Sequence, residues 1–105
     1  MRILLDQATP VALRKALAEH SVSTAYEQGW SVLKNGDLIK AAEKQFDVLV
    51  TTDKNLRHQQ NLEGLHLSIL VLPSGSWPKL RHHTAAIAAA ISALKPGEYK
   101  EFQLD

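Results

Sequence analysis

Apolar and polar positions along this chain fall into short runs of two kinds. Ile3-Leu4-Leu5 is a brief unbroken apolar run that stops at Asp6, and turn and helix-start residues follow at once, which predicts a buried strand. Thr9 suits a cap and Pro10 a first helical position, so a helix is expected over residues 10–19 with Leu13, Ala16 and Leu17 on its inner face. Residues 22–25 read as a modest strand. Residues 26–35, punctuated by Gly29 and Gly36, read as a loop or one helical turn. Helical spacing returns with Leu38, Ile39, Ala42 and Phe46, predicting a helix over residues 37–45.

The clearest strand covers residues 47–52, apolar on both faces and rich in β-branched side chains, which suits the interior of a parallel sheet. Asp53 ends it. A short polar helix at 54–61, a turn at Glu63-Gly64 and a second buried strand at 67–72 follow. Residues 73–78 form a Gly/Ser/Pro loop holding Trp77, and the stripe Leu80, Thr84, Ile87, Ile91, Leu94 predicts one Ala-rich helix from about Pro78 to the stop at Pro96-Gly97. Residues 99–104 alternate like an edge strand. Strands alternating with helices mean a small α/β fold, with four or five strands in a mainly parallel sheet and right-handed crossovers.

The length of 105 residues allows one domain, residues 1–105, and the 45% hydrophobic content excludes a disordered chain. No apolar run approaches the roughly 20 residues of a membrane span, and no signal-peptide pattern opens the sequence, so no membrane partner is expected. Cysteine is absent, which removes thiolate metal sites and thiol nucleophiles and fits a cytoplasmic location. The net charge of +1 argues against bulk electrostatic binding of nucleic acid. The middle of the chain is nevertheless locally basic, because Lys54, Arg57, Lys79 and Arg81 face only Glu63, with His58, His66, His82 and His83 able to add charge at lower pH.

Open α/β sheets work at the carboxyl ends of their strands. Asp6 and Asp53 each end an apolar run there, and Asp37 opens a helix on the same rim. If the two strands are neighbours, their carboxylates face each other; at about 4–5 Å and an effective dielectric near 20 they would repel by roughly 3–4 kcal/mol, which calls for a cation or a shared proton. Mg²⁺ or Mn²⁺ is the natural guest for oxygen ligands. Each acid also has a plain structural role open to it, as an N-cap or turn anchor. No Gly-rich phosphate cradle, Walker lysine or nucleophile elbow is present, and adjacent His82 and His83 diverge too far on a helix to share a metal. A phosphoacceptor receiver domain would want a second acid beside Asp6 and a lysine after a late strand, and has neither.

Leu4-Leu5-Asp6, Gly29-Trp30, Asn35-Gly36-Asp37-Leu38-Ile39-Lys40-Ala41-Ala42 and Val48-Leu49-Val50-Thr51-Thr52-Asp53-Lys54-Asn55-Leu56, in this order, resemble the small bacterial PIN-like proteins, allied to PIN-domain ribonucleases and toxin–antitoxin components. The resemblance implies a three-layer α/β/α sandwich and a Mg²⁺- or Mn²⁺-dependent ribonuclease site in which Asp6, Asp37 and Asp53 are the catalytic, metal-binding acids. In that reading Thr52, Asn55 and Gln7 support the acids, and Lys54 and Arg57 meet RNA phosphates. Trp30 and Trp77 are expected to pack in the fold, with base stacking as the lesser alternative, and His58, one turn beyond Lys54, can reach the rim. The chain departs from the family pattern at Gln7-Ala8-Thr9-Pro10, where Glu-Asn usually follows the first acid, and at Lys54-Asn55, where a further Asp is common. Fewer negative charges then line the site. The alternative is a PIN-like binding module with weakened catalysis, acting through an antitoxin-like protein partner, RNA or itself; the Ala-rich helix could line a homodimer or lie flat on the sheet.

Overall fold

The computed structural model describes residues 1–104, with the side chains of His58 and Gln59 also outside the description. Five parallel strands form one sheet in the order β2-β1-β3-β4-β5. They are β1 (Arg2–Leu5), β2 (Ser21–Thr24), β3 (Val48–Thr51), β4 (Ser68–Val71) and β5 (Tyr99–Glu101). The helices are α1 (Asn35–Gln45), α2 (Leu56–Gln59), α3 (Trp77–Leu80) and α4 (Thr84–Ser92), with a 3₁₀ helix over Val11–Leu17. No helix among the described residues is long and apolar enough to cross a membrane.

Alternation along the strands divides the apolar side chains between two faces. Ile3, Leu5, Val48, Val50, Leu70 and Leu72 look one way and pack against Leu13 and Leu17 of the 3₁₀ helix, Leu80 of α3, and Ile87 and Ile91 of α4. Leu4, Leu49, Ile69 and Val71 look the other way, onto Leu38, Ile39 and Ala42 of α1 and Leu56 of α2. The result is a three-layer α/β/α arrangement. Every residue of β3 and β4 is buried, as expected of inner parallel strands covered on both sides. Trp30 meets Phe46 edge to face at 6.0 Å in the second layer, and Trp77 packs on the first, so both tryptophans serve the core.

Three features depart from the sequence pattern. The first connection is a seven-residue 3₁₀ helix instead of an α-helix. At about 2.0 Å per residue it spans roughly 14 Å, the length of a four-residue strand, whereas an α-helix of equal length would fall short. The Ala-rich helix is broken at Arg81-His82-His83 into α3 and α4, where two consecutive histidines, modest helix formers, follow Arg81 and none of the three residues has an apolar side chain to hold it on the sheet. Ile87 and Ile91 lie on the sheet while Ala85, Ala86 and Ala89 face outward.

The third departure concerns handedness. The connections β1 to β2, β2 to β3 and β3 to β4 share one hand, since each change of direction across the sheet is matched by a change of face. The connection β4 to β5 continues in the same direction but crosses the opposite face through α3 and α4, so its hand is reversed. A uniform right-handed set, the strong tendency of parallel folds, is therefore not realised. The α1 and α2 face is already covered by those helices together with Leu62 and Leu65, and the apolar stripe of α4 finds its place beside the 3₁₀ helix instead.

Candidate functional site: the carboxyl edge of β1 and β3

The strand order places β1 beside β3 while the chain leaves β1 towards β2 on its other side, so the switch point of the sheet lies between β1 and β3. Asp6 and Asp53 stand at this point. Leu5 is in register with Val50, which sets Asp6 beside Thr51, and the Asp6 amide donates to the Val50 carbonyl at 3.0 Å. By strand alternation Asp6 and Thr51 turn to the α1 and α2 face.

All four carboxylate oxygens are engaged. Asp6 Oδ1 accepts from the Thr9 amide at 3.1 Å and the Thr9 hydroxyl at 2.7 Å, and Asp6 Oδ2 accepts from the Thr51 hydroxyl. Asp53 Oδ1 accepts from the Asn55 amide at 2.9 Å, and Oδ2 accepts from the Asn35 side-chain amide. The Thr51 oxygen in turn accepts from the Asp53 amide at 3.2 Å. One buried hydroxyl therefore joins the two acids, donating to the first and receiving from the backbone of the second.

Asp37 takes no part in this network. It is exposed in the first turn of α1, where a negative charge favours the helix terminus, and the residue that α1 sends to the rim is Asn35. Among the described residues, no group of three or more His, Asp or Glu side chains is placed to hold a metal ion. A divalent ion would have to displace several of the donors above from Asp6 and Asp53 to gain ligands at about 2.1 Å. The folded donor set is thus a hydrogen-bonded pair of acids and does not fit a three-carboxylate Mg²⁺ or Mn²⁺ cage. Neither Asp6 nor Asp53 has a cationic partner among the described residues, whose ion pairs are Arg2–Asp47, Arg14–Glu27 and Arg57–Glu101.

The residues expected to support or extend the site are distributed differently. Gln7 is exposed, Asn55 contributes its backbone amide, and Thr51 takes the role expected of Thr52. Lys54 is exposed at the mouth of a cavity of about 270 Å³ beside Pro73 and Phe102. Arg57 faces β5, 5.5 Å over the Tyr99 ring and 4.0 Å from Glu101. The Tyr99 hydroxyl is buried with no hydrogen-bond partner among the described residues; burial raises its pKa, the Glu101 and Asp53 carboxylates add to the rise, and Arg57 opposes it. The His58 side chain lies outside the described residues.

Sequence reasoning passed over a second cluster on this edge. Thr24 and Glu27 form a reciprocal cap at the end of β2: the Glu27 amide donates to the Thr24 hydroxyl at 3.1 Å and the Thr24 amide to Glu27 Oε1 at 2.9 Å. Arg14 closes on the same oxygen from the 3₁₀ helix. The Thr24 amide and then Arg14 hold the Glu27 carboxyl below its ordinary value of 4.5, against a smaller opposing effect of burial. A depressed carboxyl contributes stability above its unfolded pKa and loses that contribution as pH falls through the folded value. Melting curves of the wild type and Glu27→Gln should accordingly differ at pH 7 and draw together as pH falls below the ordinary carboxylate range. A gap that persists unchanged at pH 3 would remove the cap from the account.

Comparison with family models, with curated proteins and with solved structures finds no match.

Proposed function

We propose that the chain is a small PIN-like domain acting as a binding module, which meets a protein partner over the carboxyl edge of its sheet. The observation that carries this reading is where exposed apolar side chains gather. Of the four exposed large apolar side chains among the described residues, Val11, Tyr26 and Val32, at 60%, 76% and 87%, lie in the segments that leave the carboxyl ends of β1 and β2, and only Met1, the least exposed, lies at the amino edge. Exposed large apolar groups concentrated beside the crevice of an α/β sheet suit a contact surface better than a solvated one. The order of motifs and the α/β/α layers support the PIN-like part, and a cytoplasmic toxin–antitoxin component is the setting that the resemblance implies.

Metal-dependent ribonuclease action is the second reading, favoured by the adjacency of Asp6 and Asp53 at the switch point without a cationic neighbour among the described residues. It requires both acids to release their present donors, and it gives Lys54 and Arg57 the phosphates of the substrate.

Thermal melts separate the two. For a module, millimolar Mn²⁺ or Mg²⁺ leaves the melting temperature of the wild type and of the Asp6→Asn/Asp53→Asn double variant equally unmoved, and RNA incubated with the protein stays intact. A metal-dependent rise in the wild type that the double variant lacks, with RNA cleavage lost in parallel, would replace the module by a hydrolase.

A further inference from the structure

Between the end of β2 and the 3₁₀ helix lies a concavity of about 410 Å³, walled by Val11 and Tyr26, floored by Thr9 and Thr24, and edged by Asp6 and Glu27. Its volume falls in the range of ordinary small binding pockets, about 300–1,000 Å³. The wall is held rigidly. Ala25 is fully buried and its amide donates to Leu5 at 2.9 Å, the Thr24 and Glu27 cap fixes the turn, and the Trp30 amide returns to the Ala25 carbonyl at 2.8 Å. Tyr26 is thus pinned by its backbone and presents its ring to solvent. A tyrosine has only two side-chain torsions to fix on contact, and on a turn held by its backbone it is the kind of side chain that anchors interfaces.

Charge selects the occupant. The lining carries two carboxylates and no Lys, Arg or His. Arg14 engages Glu27 through one oxygen, and Asp6 has no cation beside it among the described residues. Arg14 offsets the Glu27 charge, so what a cationic group gains here is the negative charge of Asp6, whose present donors are neutral, the second oxygen of Glu27 and the face of the tyrosine ring. Val11 offers the neighbouring apolar contact.

We infer that this concavity receives a short protein segment in which an apolar side chain adjoins an arginine or lysine, the apolar group resting on Val11 and the cation over Tyr26 between Asp6 and Glu27. The inference rests on the binding-module reading and names the chemistry of the partner.

The test is selection of phage-displayed random dodecapeptides on the whole folded protein, followed by titration of the enriched peptides and mapping of backbone amide shifts. Enriched peptides should pair an apolar residue with Arg or Lys, shift the amides of Thr24 to Glu27, and bind more weakly as salt rises. Tyr26→Ser should weaken them roughly tenfold or more, with Tyr26→Phe close to wild type. The ring is exposed, so an unchanged melting curve for Tyr26→Ser confirms that folding is not the cause of the loss. Peptides that shift these amides but lack a basic residue, or ignore salt, overturn the cationic inference and leave the carboxyl-edge module standing. Peptides that bind elsewhere, or no enrichment, overturn both. Self-association that Tyr26→Ser abolishes would assign the concavity to a second copy of the chain and overturn the inference as well.

Discussion

Replacing Thr51 by Val is expected to destabilise the protein by about 2–3 kcal/mol, since hydrogen bonds to charged groups are worth about 1.5–3 kcal/mol and one buried hydroxyl here serves two partners. Val preserves the shape of the side chain, which is 2% exposed, so the core packing around it is not the variable. What disappears is the donor to Asp6 Oδ2 and the acceptor for the Asp53 amide. Asp6 is only half-buried and recovers part of its solvation from water; the Asp53 amide does less well. Urea unfolding with an unchanged slope should report the loss, with a melting temperature lower by roughly 10 °C for a domain of this size. Thr51→Ser keeps the hydroxyl and should cost about 1 kcal/mol, mainly for the methyl group. Thr51→Val and Asp6→Asn remove parts of one network, so the double variant should lose clearly less than the sum of the singles. Full additivity would mean that the two residues do not communicate, and the account of the rim as a joined pair would fall with it.

The network also explains how far the site could be read in the sequence. An acid at the end of an apolar run is visible in one dimension, whereas the pairing of the strands that Asp6 and Asp53 terminate is not, and the sheet order supplies it. The hydroxyl between them was within reach: Val48 and Val50 face one way, so Leu49 and Thr51 face the other, and Thr51, not Thr52, shares a face with Asp6. Asn35 was not within reach. Whether Asn35 or Asp37 meets Asp53 depends on where the first turn of α1 docks, which a helical stripe of Leu38, Ile39 and Ala42 leaves open by a residue or two.

Similar reasons separate the legible from the illegible in the fold. β3 and β4 declare themselves because both of their faces are apolar. Leu13 and Leu17, four residues apart, favour a period of 3.6, in which they stand about 40° apart, over 3.0, in which they stand about 120° apart; the 3₁₀ geometry overrides that spacing because of the distance to be spanned. Leu80, Ile87 and Ile91 remain on one stripe across the break between α3 and α4, so the pattern carries no sign of it. Thr24-x-x-Glu27 is a visible capping signature, yet no apolar periodic run follows it, and a cap that serves a single turn leaves no other trace. The hand of the last crossover depends on which face has room, a property of the assembled layers.

That last crossover delivers the chain to β5, a three-residue strand at the sheet edge, and Gly97→Ala is expected to cost about 3 kcal/mol through the turn that precedes it. Gly97 has φ +77°, and a Cβ there would stand 2.5 Å from the Leu65 carbonyl oxygen, which belongs to backbone and cannot swing aside. The left-handed conformation alone costs a non-glycine residue about 1–2 kcal/mol. Relief by moving the turn would stretch the Gly97 amide bond to His66 at 3.0 Å and the Ser68 hydroxyl bond to Lys95 at 2.7 Å, each worth about 1 kcal/mol. The same turn sets the register of β5, because the Glu98 carbonyl accepts from Ile69 at 2.8 Å and the Glu98 side chain from the Lys95 amide at 2.9 Å. Gly29 supplies the control. Its φ is +76°, but no atom lies within 4 Å of the added Cβ, so Gly29→Ala should cost only about 1–2 kcal/mol. Hydrogen exchange locates the damage: the amides of Ile69 and Phe102, which bind the two ends of β5, should lose protection in Gly97→Ala more than the Asp6 amide does. Equal losses in the two glycine variants would show that the turn tolerates the Leu65 contact, and β5 would then be held by something other than the packing of residues 95–98 against the entrance to β4.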